Sequence, residues 1–462
     1  MLTISQAFVV LIIFLLIVEF FKLQKARKQF PPGPTPLPLL GNLLQLNFQF
    51  HRDLLMEVFL LRCSKLINSS HSLNKTDILL EIPLGIILAT GHSWKQQRRF
   101  GIMTLRSLGM GKKGLEYRVQ EEAAHLVDLG EVQSGRPVDP SFPLFHSISN
   151  VICALVFGYH FSDEDKTFHE LISRMVLSLD DCVYKYTQQT QDVLYEMLPW
   201  LMNHLPGPHK KALSSYDVLS SFARKEIRRH VERGTPDEPQ DFIDFYLLEM
   251  EKYSSKTPKY DEDNLIYVIN DLFLGGSETS STTLYWGLLF MLLNPDIQEK
   301  VQKELDAVLD PSQLICYEHR RKLPYTNAVV HEIQRFSNIV CVGMPRVSVR
   351  DTILLGFPVK KVQAPSALYD PEQWETPRQF NPGHFLDKEG NFITREAFLP
   401  FSAGHRVCLG ENLARTELFI FFANLLRAFT FRLPEGVTEI NPEPILGGTL
   451  QPHPYRLCAI PR

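Results

Sequence analysis

The sequence has no C-x-x-C pair, no dense basic tract, no internal repeat and, after its first forty residues, no long Gly/Ser linker. Each absence removes a class of protein. The seven cysteines, at 63, 153, 182, 316, 341, 408 and 458, are scattered and odd in number, so they build neither a disulfide framework nor a structural zinc site. The bulk of the chain is therefore expected in a reducing compartment. With 48 Lys and Arg against 52 Asp and Glu, a net charge of −4, no cluster is available to neutralise phosphates. Nucleic acid is not an expected partner. Undivided by repeats or linkers, 462 residues with 44% apolar content read as one large domain with a substantial core.

Long hydrophobic runs are also scarce; one stands out. Met1 to Phe21 is nearly continuous in apolar residues, interrupted by Thr3, Ser5, Gln6 and Glu19, and is just long enough to cross a bilayer core of ~30 Å as a helix. Lys22, Lys25, Arg27 and Lys28 come directly after it, and no positive n-region or small-residue cleavage site precedes them. The pattern predicts a retained single-pass anchor, residues 1–21, with the remainder of the chain on the cytosolic side. Next comes the run Pro31 to Pro38, too proline-rich for a helix and suited to a stiff spacer. Residues 22–42 are thus read as a basic stretch and hinge, and 43–462 as the catalytic domain.

The chemistry concentrates in Phe401-Ser-Ala-Gly404-His-Arg406-Val-Cys408-Leu-Gly410. Two glycines permit a tight turn, and the apolar stretch Leu413 to Leu426 reads as a helix whose N-terminus points back at the sulfur. A helix N-terminus and turn N–H groups favour a thiolate. One thiolate suits an axial ligand to haem iron. From about Asn264 to Leu293 runs a long apolar helical pattern ended by Asn294-Pro295. Its middle, Gly275-Gly276-Ser277-Glu278-Thr279, places two glycines and a hydroxyl on one face, where a flat group could approach closely. Adjacent mid-helix glycines cost about 1 kcal/mol each relative to alanine, a cost that function or packing must offset.

These residues resemble the haem-thiolate monooxygenases, the cytochrome P450 family. The cysteine loop matches its Phe-x-x-Gly-x-Arg-x-Cys-x-Gly, and the glycine pair with Glu278 and Thr279 matches its oxygen-activating motif. Glu332-Ile-Gln-Arg335, in the helical stretch Thr326 to Phe336, resembles the family's Glu-x-x-Arg, with His384 of Phe380-Asn-Pro-Gly-His384-Phe385 as a third member. Trp94 and Arg98, at i,i+4 in the predicted helix Ser93 to Leu108, resemble a haem-propionate pair, and Arg346 and Arg406 are further propionate candidates. The resemblance implies a mainly α fold with small β-sheets, haem b held by Cys408, and Phe401, Gly404, Arg406 and Gly410 shaping its loop. It implies Glu278 and Thr279 as the proton-delivering pair.

The implied reaction inserts one oxygen atom from O2 into a lipophilic substrate. Electrons would come from NADPH through a flavoprotein reductase, with cytochrome b5 as a further partner, at the endoplasmic reticulum membrane. Lys95, Arg99, Lys112, Lys113, Arg118 and His405 are candidates for docking the reductase. Gly109-Met-Gly111-Lys-Lys-Gly114 spells a dinucleotide fingerprint, but a predicted helix, not a strand, precedes it, so no nicotinamide site is expected. Pocket candidates are Phe273, Leu274, Ile339 to Val342 and Ile445 to Thr449. The approach Arg395 to Ser402 and the sequence Ala414 to Phe419 resemble family 2, near its fatty-acid-epoxidising and xenobiotic-oxidising subfamily J. Against that family the chain is short in two places, between Asn42 and Trp94 and after Gly356. Both shortfalls fall on one sheet, so a poorly folded, inactive haem-binding chain is the competing expectation.

Overall fold

The computed structural model describes residues 85–173, 208–253, 260–340 and 368–462, apart from isolated positions and residues 130–134 and 447–448. It also describes 17–22 without 19, residue 204, and two short strands at 352–354 and 357–359. The expected anchor, apart from its last helical positions, the hinge, the stretch His51 to Glu81 and Arg346 lie outside these residues. Among the described residues no helix is long and apolar enough to cross a membrane.

Two compact units are present. In one, the described strands β2 (Thr352–Leu354) and β3 (Phe357–Val359) form an antiparallel hairpin, Thr352 opposite Val359. The other unit, residues 79–183, 206–339 and 367–462, carries the core. Its described helices include α1 (Gly91–Ser107), α2 (Lys113–Asp128), α3 (Ser141–Val156), α4 (Pro208–Arg233) and α5 (Phe242–Tyr253). They continue as α6 (Glu262–Leu293), α7 (Pro295–Val308), α8 (Pro324–Ser337) and α9 (Glu411–Ala428). Strand β1 (Pro137–Val138) and β4 (Phe429–Arg432) flank β7 (Leu457–Pro461) in an antiparallel sheet, and β5 (Pro444–Leu446) pairs with β6 (Leu450–Pro452). The mainly helical expectation with small sheets is met.

Helix α6 explains the architecture. Asp261 caps it, its side chain accepting from the Asn264 N–H at 2.6 Å, and Asn294 before Pro295 ends it after 32 residues, roughly 48 Å of rod. From Ser280 to Leu292 every residue is buried, so this half is enclosed on all sides. Helix α3 packs along it, and α9 contributes Phe419, Ile420, Phe421 and Phe422, each at most 1% exposed. Burying such side chains stabilises by roughly 1.5–3 kcal/mol apiece. The decoy fingerprint is the turn joining α1 to α2, with Gly109 and Gly111 at φ +102 and +77, so it serves a reversal between helices.

Candidate active site

The cysteine loop is a folded-back turn sealed by its own backbone. The Cys408 N–H donates to the Phe401 carbonyl at 3.0 Å and the Val407 N–H to that of Gly404 at 3.1 Å. Gly404, at φ +75, adopts a conformation open to glycine, and no atom lies within 4 Å of where a Cβ on Gly404 or Gly410 would stand. Gly410 is the N-cap of α9, and its carbonyl accepts from Ala414 at 2.9 Å. The loop is thus carried on a helix N-terminus, as the pattern predicts.

The surroundings of the sulfur pull in two directions. The Cys408 thiol is raised, chiefly by burial, although the Gly410 and Glu411 N–H groups and Arg98 act to lower it. The residue keeps accessible surface, so it sits in a recess: open to a guest but poorly solvated. Without a cation the recess favours the neutral thiol, and coordination would supply the charge that makes it a thiolate.

The other predicted residues lie on α1, in the loop and on α6. Arg98 donates to the Val407 carbonyl at 2.5 Å, joining α1 to the loop. Arg406 donates to the Ala89 carbonyl at 2.6 Å and stacks over the Trp94 ring, 3.9 Å from its centroid. Trp94 Nε1 is buried and finds no acceptor among the described residues. A buried indole N–H between two guanidinium groups fits an anionic oxygen, which is what a haem propionate would supply. On α6, Gly275 is exposed and Thr279 half-exposed, just before the wholly buried stretch Ser280 to Leu292. Thr279 Oγ1 donates to the Gly275 carbonyl at 2.7 Å, so that carbonyl takes a side-chain donor four residues on.

The two glycines do different work, which corrects the expectation that both face the guest. A Cβ on Gly275 would meet nothing closer than Ile87 Cδ1 at 4.0 Å, whereas one on Gly276 would overlap the Ile152 side chain of α3. Gly276 is a helix-packing residue. Phe273 likewise belongs to the core, 1% exposed, and Thr449 turns its hydroxyl onto Glu278.

Behind the loop, Glu332 and Arg335 form a doubly hydrogen-bonded pair, both contacts 2.7 Å and both residues fully buried. Arg335 also donates to the carbonyls of Leu368, Pro377 and Gln379, and Glu332 accepts from the Asn381 N–H at 2.8 Å. His384 Nδ1 lies 3.2 Å from Glu332. The cluster ties α8 to the segment 368–385. Sequence reasoning missed the link from α8 to the loop itself: Arg415 reaches His331 Nε2 at 3.3 Å, bonds Glu411 at 3.0 Å and stacks on Phe401 at 4.9 Å. It also missed Glu417, which accepts from Ser280 at 2.7 Å and joins α9 to α6 beside Thr279; burial raises its carboxyl to about 8. A third omission is Asp271, which accepts from the Ile86 and Ile87 N–H groups at 2.6 and 2.9 Å. None carries a motif; an acid in an apolar helix was the available signal. A different buried group, His230, Asp241 and Asp244, has metal-ligand spacing, but the Arg233 guanidinium already supplies its positive charge at 2.7 Å from Asp244.

A lone cysteine on a helix N-terminus, a ring of propionate-type donors and a long helix notched opposite a hydroxyl define a haem-thiolate protein. The comparisons with known proteins agree. The family described as Cytochrome P450 matches residues 67–459. Cytochrome P450 2J2 of Homo sapiens is 40% identical over 483 positions, 97% of this chain and 94% of that protein. Cytochrome P450 2J1 of Oryctolagus cuniculus is 41% identical with the same coverage, and Cytochrome P450 2D28 of Mesocricetus auratus 37% over 98% of this chain and 97% of its own. The chain belongs to the cytochrome P450 family. It is a haem-thiolate monooxygenase of family 2 character, taking lipophilic substrates of the fatty acid or xenobiotic kind and electrons from NADPH through a reductase.

Proposed function

We propose that Cys408 is the axial ligand, that Trp94, Arg98, Arg406 and, outside the described residues, Arg346 hold the propionates, and that Glu278 and Thr279 deliver protons. The single observation that carries this is the orphaned Trp94 N–H beside Arg406 and Arg98, of which Arg98 is bonded to the cysteine loop at Val407. Bound there, haem supplies oxygen activation with strong electron donation from sulfur. The residues of the chain do the rest. Phe401, Gly404 and Gly410 keep the loop low enough for close approach, and Arg415 fixes Phe401. Thr279 presents a hydroxyl beside Gly275, whose missing side chain leaves room for a small guest.

The substrate reading is a polyunsaturated fatty acid, epoxidised or hydroxylated, with drug-like compounds as the other class. Leu274, Ile339 and Ile445, all partly exposed, are apolar candidates to line its pocket. Residues 1–21 would anchor the chain in the endoplasmic reticulum membrane and contact its lipid, residues 22–42 would space it, and 43–462 would catalyse on the cytosolic side. The exposed Lys95, Arg99, Lys113, Arg118 and His405 offer a basic docking face to the reductase, and cytochrome b5 could share it.

A second reading has one observation in its favour. The 483 aligned positions exceed the 462 residues of the chain, so segments present in the relatives are absent here. Loss of sheet segments would leave an anchored, inactive haem-binding chain. The carbon monoxide difference spectrum of reduced membranes decides: a thiolate-position Soret band with reductase-dependent turnover, both lost in Cys408→Ala, supports the enzyme. An absent band in the parent chain, or one unchanged in Cys408→Ala, overturns it.

A further inference from the structure

Glu278 and Thr279 are neighbours on α6, and neighbours on a helix point about 100° apart. The structure uses that divergence. While Thr279 bonds back to Gly275, the Glu278 side chain, 5% exposed, leaves toward the C-terminal hairpin β5–β6. Its Oε1 accepts from Thr449 Oγ1 at 2.8 Å and from Gln451 Nε2 at 2.6 Å. The amide orientation is dictated chemically: turned over, Gln451 would set its own oxygen against a carboxylate. Gln451 Nε2 also reaches Thr282 Oγ1 at 2.8 Å, and Thr282 stands one turn beyond Glu278 on the same face. The Thr449 hydroxyl, its one proton given to Glu278, accepts from Gln451 at 3.0 Å.

The hairpin does not depend on this acid for its place. Leu450, the residue before Gln451, accepts through its carbonyl from Trp286 Nε1 at 2.8 Å and donates its N–H to the Ile339 carbonyl at 2.8 Å. Gln451 is therefore a fixed donor to which the acid is tied.

We propose that Gln451, with Thr449, is the positioning residue for Glu278, so that the C-terminal hairpin sets where the acid of the Glu278–Thr279 pair stands; this rests on the role proposed for that pair. Either the carboxylate swings off Gln451 or a water spans the gap, and the hairpin controls both. Two outcomes of reduction compete. Substrate, O2, NADPH and one proton give hydroxylated product, water and NADP+; O2, NADPH and one proton give hydrogen peroxide and NADP+. A displaced acid favours the second.

The test is Gln451→Leu, close in volume and without donors, in the full-length haem-loaded chain. The expected result is a several-fold fall in product formed per NADPH, a matching rise in peroxide, and a substrate KM within about twofold of the parent. With Glu278 already Ala, the same change should lower coupling no further. A double-mutant cycle of Glu278→Ala and Gln451→Leu, followed by denaturant unfolding, should be non-additive. Additive unfolding effects, unchanged coupling in Gln451→Leu, or a KM change with coupling intact each overturn the proposal. The unfolding cycle reads the contact directly, so a chain lacking the thiolate band would sink the enzymatic reading while the cycle still decides this one.

Discussion

Two charged regions flank the cysteine loop and are built on opposite principles. In the Glu332–Arg335–His384 cluster the guanidinium has two carboxylate contacts and three carbonyl acceptors, the carboxylate has a backbone donor besides, and nothing is exposed. At the Trp94–Arg98–Arg406 rim the guanidiniums lean on backbone carbonyls, the indole N–H has no acceptor among the described residues, and the thiol opens to a recess. The first is satisfied by the polypeptide alone; the second is satisfied only when something anionic and metallic arrives. The difference separates what holds the fold from what is proposed to hold the cofactor.

The sharpest way to break the comparison is at its closed end. Arg335→Ala strands a fully buried carboxylate and should cost about 3–5 kcal/mol, seen as loss of both cooperative unfolding and the carbon monoxide band. Next comes Glu417, whose carboxyl is raised in the native state: native protein then binds more protons than unfolded, so stability is fullest below about pH 4.5 and declines as pH rises to about 8. Glu417→Gln should flatten that decline, a gain on the order of a few kcal/mol above pH 8 in denaturant melts at several pH values.

Smaller effects test the glycine pair. Gly276→Ala drives a methyl into Ile152 and should destabilise by about 1–3 kcal/mol. Gly275→Ala meets no close neighbour and should stabilise by up to about 1 kcal/mol while lowering turnover, since its methyl occupies the opening beside Thr279. Comparing unfolding with turnover for both variants checks the division. At the open end of the comparison, Trp94→Phe removes the N–H while keeping an aromatic ring. Stability of the haem-free chain should stay within about 0.5 kcal/mol, while transfer of haem to an apo-acceptor should quicken several-fold. Equal effects on apo and holo forms would erase the distinction between the two regions.

Much of this is legible in the sequence. The α6 limits, read as Asn264 to Leu293, fall within two residues of Glu262–Leu293, because an uninterrupted apolar pattern and Asn294-Pro295 are local signals; the Asp261 cap, which that reading missed, sets the earlier start. The cysteine loop is legible for a similar reason: its glycines and cysteine are close in sequence. Arg415, His331 and Glu417 are not, since their significance lies in contacts across helices far apart in the chain. The glycine pair is half legible; spacing assigns a face, but only packing says which glycine meets α3. The raised thiol escapes a sequence reading because a helix N-terminus can be inferred from local pattern and desolvation cannot.

By itself the sequence determined which residues can ligate, cap, turn and donate protons, because those capacities belong to side-chain chemistry and short-range spacing. Only the tertiary structure decided which charges are closed and which are left open to a guest, and that Glu278 is tied to Gln451, 173 positions away. Burial and partner choice are properties of the packed whole. No local pattern encodes them, since each depends on which distant segment the core brings within hydrogen-bonding reach.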